Sequence, residues 1–195
     1  SGYRDPLLMT WERALTGFDP SRELAGRFPW LWVSEPLHFA YLSFYPAVCF
    51  PPILLAVRGR LREGTTTVLG VLIAAVVCYI AFVLFPVQGP RYFGPPEGVP
   101  EGPMRRLTLL ILENGSSRGA AFPSSHMALM TAQAALALRF QPKVGVLLTL
   151  GALGVGLGAV YGGFHYSVDM AAGAVVGGLS AWVALRLDRA GPTGA

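Results

Sequence analysis

Charge, histidine and cysteine are all scarce in this chain, and each scarcity removes a class of function. Asp, Glu, Lys and Arg make up only 13% of the 195 residues, against 53% hydrophobic. That balance is written for lipid and excludes an ordinary soluble domain. Three histidines without zinc spacing, no C-x-x-C pair and no carboxylate-rich calcium loop leave no metal and no cofactor to expect. Cys49 and Cys78 both fall inside apolar runs, where packing is expected in place of an aqueous disulfide. No base-reading motif accompanies the net charge of +4, so nucleic acid is not an expected partner. The basic residues read instead as membrane anchors facing anionic lipid.

What the chain does contain is a series of apolar runs long enough to cross a bilayer, which takes roughly 17 to 25 residues each. They are Leu37–Val57, Thr65–Val87, Ser124–Phe140, Val144–Tyr161 and Tyr166–Leu187. The expected fold is therefore all-α, a polytopic membrane bundle of about five transmembrane helices. Pro46, Pro51 and Pro52 in the first run and Gly151, Gly154, Gly156 and Gly158 in the fourth suit membrane helices that kink or pack closely.

Residues 1–36 differ in kind. Trp11, Phe18, Leu24, Phe28, Trp30 and Trp32 alternate with Arg4, Asp5, Glu12, Arg13, Asp19, Arg22, Glu23 and Arg27, a mixture that favours the membrane interface. Lacking an uninterrupted apolar core and a small-residue cleavage site, this stretch reads as one or two interfacial helices and not as a removed leader. Ser1-Gly2, without an initiator Met, is expected to be a cloning remnant. The chain reads as one membrane domain, 1–195, with an interfacial segment 1–36 and a transmembrane catalytic core 37–187. No internal repeat interrupts it, and the candidate linker is the Pro/Gly-rich Phe85–Pro103.

Arg58, Arg60 and Arg62 in the first loop, Arg139 and Lys143 in the third, and Arg186 and Arg189 in the tail lie on one side by parity. That side is expected to be cytoplasmic. Gln88–Pro123, Gly162–His165 and the amino-terminal segment then face outwards, in the manner of a bacterial plasma-membrane protein. Arg105 and Arg106 are expected to be solvated or lipid-facing charges, and His38 an interfacial histidine.

Three segments meet on the outward face. Pro86-Val-Gln-Gly-Pro-Arg91-Tyr92 ends the second run, Pro123-Ser-Ser-His126 opens the third, and Tyr161-Gly-Gly-Phe-His165-Tyr-Ser-Val-Asp169 joins the last two. A helix starting after Pro123 with Ser124 as its cap presents free N–H groups and positive potential to an anion such as phosphate. Arg91 and Arg118 can add bidentate donors, with Gln88 and Tyr92 as possible substrate contacts. His165 and Asp169, four apart, fall on one face of a helix, so the carboxylate can orient the imidazole for in-line attack on phosphorus. His126 can protonate the departing oxygen.

In these residues the chain resembles the type-2 phosphatidic acid phosphatase superfamily, whose signatures read K-x-x-x-x-x-x-R-P, P-S-G-H and S-R-x-x-x-x-x-H-x-x-x-D. The resemblance covers Leu84 to Asp169, in order and on one side. It implies that His165 is a nucleophile that becomes phosphohistidine, Asp169 its orienting partner and His126 the general acid. Ser124, Ser125 and the neighbouring backbone become phosphate ligands, Arg91 a phosphate-binding cation, and no metal takes part. Leu84 stands where the family lysine falls, Ser125 replaces the glycine, and Gly158 and Ala159 replace the serine and arginine. Two cations are thereby missing, unless Arg118, Arg105 or Arg106 substitutes. AFPSSH followed by H-Y-x-x-D without an arginine is similar to the branch containing inositol phosphorylceramide synthases, which implies transfer to a lipid alcohol in place of water.

The expected function is thus a lipid phosphate phosphatase acting on phosphatidic acid, a polyprenyl phosphate or a similar amphiphile, with membrane lipids as its partners. A head-group phosphotransferase is the alternative, and a non-catalytic phospholipid-binding membrane protein the second. Simple binding needs no nucleophile and acid together, which favours the enzyme. Nothing in the residues speaks to oligomeric state.

Overall fold

The computed structural model describes residues 2–190; the remainder of the expected 1–195 domain lies outside the described residues. The fold is all-helical, with no named strand among the described residues. Two amphipathic helices, α1 (Asp5–Thr16) and α2 (Pro20–Arg27), precede α3 (Leu31–Leu42), α4 (Phe44–Val57) and α5 (Leu61–Leu84). A 3-10 turn (Pro90–Phe93) and α6 (Pro103–Gly115) follow, then α7 (Ser125–Phe140), α8 (Pro142–Tyr161) and α9 (Ser167–Ala190).

The first expected span is not one rod. It begins earlier, at Leu31, and breaks at Ser43, where α3 and α4 are bent by 43°. Pro46 lacks the N–H that would reach back to Leu42, and its ring crowds that carbonyl, so the helix restarts there. Helices α5, α8 and α9 are each long and apolar enough to cross a membrane, and the bent pair makes a fourth such element.

Helix α7, the remaining expected span, has 16 residues, or roughly 24 Å of helix. It forms the axis of the bundle, enclosed by α4, α5, α8 and α9. Its small residues Ala128, Ala132 and Ala137 are wholly buried. Added Cβ atoms at Gly173 and Gly177 of α9 would run into the α7 backbone, so the glycine spacing sets how closely these two helices approach. Around this axis Leu72, Val76 and Val83 of α5, Leu147, Leu150 and Leu157 of α8, and Leu179 and Trp182 of α9 point outwards as an apolar girdle.

The arginine-rich loops gather at one end. Arg60 Nη1 donates to the Phe140 carbonyl at 2.9 Å, and Arg62 Nε to Asp188 Oδ1 at 2.8 Å. At the other end α1, α2 and α6 cover the bundle. The segment 85–103 does not behave as a linker: Val87, Gly89, Pro90 and Pro96 are buried in it. Helix α6 was not legible as a helix because its polar and apolar residues, flanked by Pro and Gly, carry no long hydrophobic run.

Candidate active site

Three segments are stitched together at the covered end. Leaving α5, Val87 donates to the Gly119 carbonyl at 3.3 Å and accepts from the Ala121 N–H at 3.0 Å. Gly89 follows at φ +92°, and a Cβ there would sit 3.2 Å from both the Ala121 Cβ and the Phe164 carbonyl. A glycine at this point lets the segment that follows α5 close on the segments that precede α7 and α9. Arg91 then lies in the 3-10 turn, donating from Nη1 to the Leu112 carbonyl at 3.2 Å and to Ser116 Oγ at 2.5 Å.

Ser124 caps α7. Its backbone is extended, and its Oγ accepts from the Met127 N–H at 3.4 Å. Its own N–H donates to the Asp169 carbonyl at 3.0 Å, which ties the start of α7 to the start of α9. The N–H groups of Ser125 and His126 have no carbonyl one turn back to bond, so the positive end of the helix is open to an anion.

His165 does not sit on a helix with Asp169, as its spacing suggested. It lies in the turn between α8 and α9. Asp169, in the first turn of α9, reaches back to accept from the Tyr166 N–H at 2.9 Å, as the acidic member of a capping box does. The same Oδ2 lies 3.3 Å from His165 Nδ1. The pairing anticipated from sequence is present, produced by a helix cap and not by a helix face. With Nδ1 engaged, Nε2 is the ring nitrogen left for chemistry. Burial pushes His165 down to about 4, opposed in part by the Ala121 backbone, so the ring is neutral at ordinary pH.

The His126 and His165 rings lie edge to face with centroids 6.1 Å apart. Both line a cavity of about 460 Å³, together with Ser125, Arg91, Gln88 and Tyr92. Tyr41 and Phe44 pack on His126 at 5.3 and 4.4 Å between ring centres. The cavity continues between α4 and α5, where Tyr45, Val48, Ala75, Tyr79 and Phe82 line it. Ala75 lies nine residues before the end of α5, roughly 14 Å back along this apolar helix. Near the opposite end α4 and α5 pack closely, Gly64 lying against Pro52. The two helices therefore diverge towards the site.

Not every expected residue reaches this cavity. Ser124 is fully buried behind its wall. Arg118 lines an adjoining cavity of about 700 Å³ with Tyr3, Val83 and Pro86, and its guanidinium lies 4.9 Å from the Tyr92 ring centre. Arg106 is exposed near Glu101, as expected. Arg105 is not: it is buried, donating to the Val99 carbonyl at 2.9 Å because that turn folds over it. His38 is not interfacial either. It is fully buried, 2.7 Å from the Ser34 carbonyl through Nδ1 and edge-on to Tyr161 and Phe164. Among the described residues no group of three His, Cys, Asp or Glu side chains is arranged to hold a metal.

Sequence reasoning missed two residues of α1. Asp5 accepts from the Gln88 and Gly89 N–H groups at 3.0 and 2.9 Å, and Glu12 accepts from the Ser167 N–H at 2.9 Å. The spacing of Asp5, Leu8 and Glu12 puts them on one helical face, which the structure buries, but nothing local in the sequence marks that face as the buried one.

A family model described as the PAP2 superfamily matches residues 7–183. The bacitracin transport permease protein BcrC of Bacillus licheniformis is 39% identical over 72 residues, which are 35% of this chain and 36% of that protein. The match thus spans about a third of the relative's length. The crystal structure of Aquifex aeolicus LpxE superposes with a TM-score of 0.58 at 20% identity, covering 77% of this chain and 86% of that one.

Proposed function

The chain belongs to the PAP2 superfamily, and from that premise we propose that it is a membrane phosphatase that hydrolyses the phosphoester of an amphiphilic lipid through a phosphohistidine. The observation that carries this reading is a neutral, carboxylate-oriented His165 facing His126 across a cavity that begins at open helix amides and runs between α4 and α5. Phosphate binds at the start of α7 beside Arg91 and Ser125, while the lipid tail enters sideways between α4 and α5. His165 Nε2 attacks phosphorus, the bond from phosphorus to the lipid oxygen breaks, and His126 gives that oxygen its proton. Asp169 holds Nδ1–H and stabilises the charge the ring acquires. His126 then takes a proton from water, whose oxygen displaces phosphate and restores His165.

The arginine-rich end faces the cytoplasm and the cavity opens on the extracytoplasmic side. A second reading, transfer to a lipid alcohol, is favoured by the adjoining Arg118 cavity, which shares Tyr79, Phe82, Ser117 and Ala120 with the first and has room for an acceptor.

The test is to incubate the purified protein in detergent with phosphomonoester, diphosphate and phosphodiester lipids, with and without an added lipid alcohol, and to follow products by mass spectrometry. Phosphate release abolished in His165→Ala is the expected result. New head-group lipids made in a His165-dependent way would replace hydrolysis by transfer. Silence across the panel would leave a phospholipid-binding protein.

A further inference from the structure

The amino-terminal helix has no part in the chemistry proposed above, yet its two buried acids bond to backbone in two of the segments that contribute to the cavity. Asp5 is 1% exposed and, besides the Gln88 and Gly89 N–H groups, accepts from the Tyr166 hydroxyl at 3.3 Å. Glu12, also 1% exposed, holds the N–H of Ser167. Gln88 and Gly89 immediately precede the turn that carries Arg91, and Tyr166 and Ser167 lie between His165 and Asp169. The Arg4 N–H adds a bond to the Pro86 carbonyl at 3.0 Å, so three residues of this end of the chain grip the same framework.

Burying two acidic side chains is costly unless their bonds do something that apolar contacts cannot. Leu8, lying between them and fully buried, already supplies apolar docking for α1. The bonds of Asp5 are different in kind, because they fix backbone N–H groups that are also packed against Ala121 and Phe164 through Gly89.

We infer that Asp5 and Glu12 are positioning residues of the active site, with α1 acting as a clamp that sets the Arg91 turn relative to the His165–Asp169 turn. The inference rests on the phosphatase reading for its kinetic consequence, and on geometry alone for its structural one. Asp5→Asn keeps the shape but sets an amide NH2 against one of the two N–H groups, so the Arg91 turn loosens. Glu12→Gln retains an acceptor for Ser167, whereas Glu12→Leu does not. Leu8→Ala weakens docking while leaving both acids in place.

The experiment measures kcat and KM on whichever lipid phosphate the wild type cleaves, thermal unfolding in detergent, and hydrogen exchange of segments 85–92 and 164–169. Expected are a fall in kcat of roughly 10- to 100-fold for Asp5→Asn and Glu12→Leu with KM changed by less than about threefold, the order of loss a displacement near 1 Å produces. Exchange should rise in both segments, Glu12→Gln should be close to wild type, and Leu8→Ala should lower the unfolding temperature with little change in kcat. Wild-type kcat and unchanged exchange in Asp5→Asn would overturn the inference, as would an equal loss of kcat in Leu8→Ala. Should the wild type cleave no lipid, the phosphatase reading fails by itself, and the exchange data decide the clamp.

Discussion

Gly173→Ala should separate the two halves of the active site. An added Cβ would overlap the Ser124 carbonyl and stand 3.1 Å from the Met127 Cβ and 3.3 Å from the Ala128 nitrogen. Carbon atoms rest at about 3.5–4.0 Å, so the first turn of α7 must retreat by roughly 0.5–1 Å. That turn carries Ser125 and His126, while α9 stays tied to His165 through Asp169. Overpacking of this kind costs about 1–3 kcal/mol, only partly offset by the roughly 0.5–1 kcal/mol that alanine contributes over glycine in a helix. Displacement of His126 by this amount should lower kcat/KM on the order of 100-fold. Gly178→Ala, five residues along the same helix with nothing within 4 Å of its added Cβ, is the control. It should be as active as wild type and equally or more stable. Phosphate release and thermal unfolding in detergent are the assays. Full activity and an unchanged unfolding temperature in Gly173→Ala, or equal damage from Gly178→Ala, would refute the argument.

Arg91→Ala should lower kcat/KM on the order of 100-fold, the loss typical of one fixed donor to a developing anion, and should exceed the loss in Arg118→Ala, whose side chain lines the adjoining cavity. Activity should survive mild acid and fall only as pH drops through about 4, where His165 takes a proton; a pH–rate profile in detergent measures the limb, and loss near 6.5 would contradict the burial argument. Burial lifts Glu12 to about 7, so the folded protein retains this proton between pH 4.5 and 7 while the unfolded chain loses it, and stability falls across that window. Glu12→Gln should therefore gain on wild type between those pH values by at most about 3 kcal/mol and level off above them, as chemical unfolding at several pH values would show.

Much of the architecture was legible because lipid imposes simple rules. Apolar length located α5, α8 and α9, and loop arginines foretold which ends would gather, as Arg60 on Phe140 and Arg62 on Asp188 show. The short α6 was not legible, since amphipathic helices at a membrane surface lack a long apolar run. The bend at Ser43 was only hinted at by the prolines, because a proline announces a break and not its angle.

The chemistry of the site was similarly divided. His126, His165, Arg91 and Ser125, which line one cavity, could be picked out from the chain as candidates, because Pro-Ser at a helix start and a His–Asp spacing of four are local patterns with local physical causes. Local pattern could not say whether Asp169 meets His165 along a helix or across a cap, since both satisfy the same spacing. Nor could it separate Arg91, which enters the cavity, from Arg118, which enters the next one, or tell that Ser124 stands behind the wall. Asp5 and Glu12 looked like any charges on an interfacial helix, and their burial against Gly89 and Ser167 is decided by contacts more than 80 residues distant in the chain. The sequence by itself determined the apolar solvent, the long helices and the candidate reactive groups, because these follow from hydropathy and nearest neighbours. Tertiary structure alone decided which groups share a cavity and what holds them there, because those distances are set by the packing of helices remote from one another in the chain.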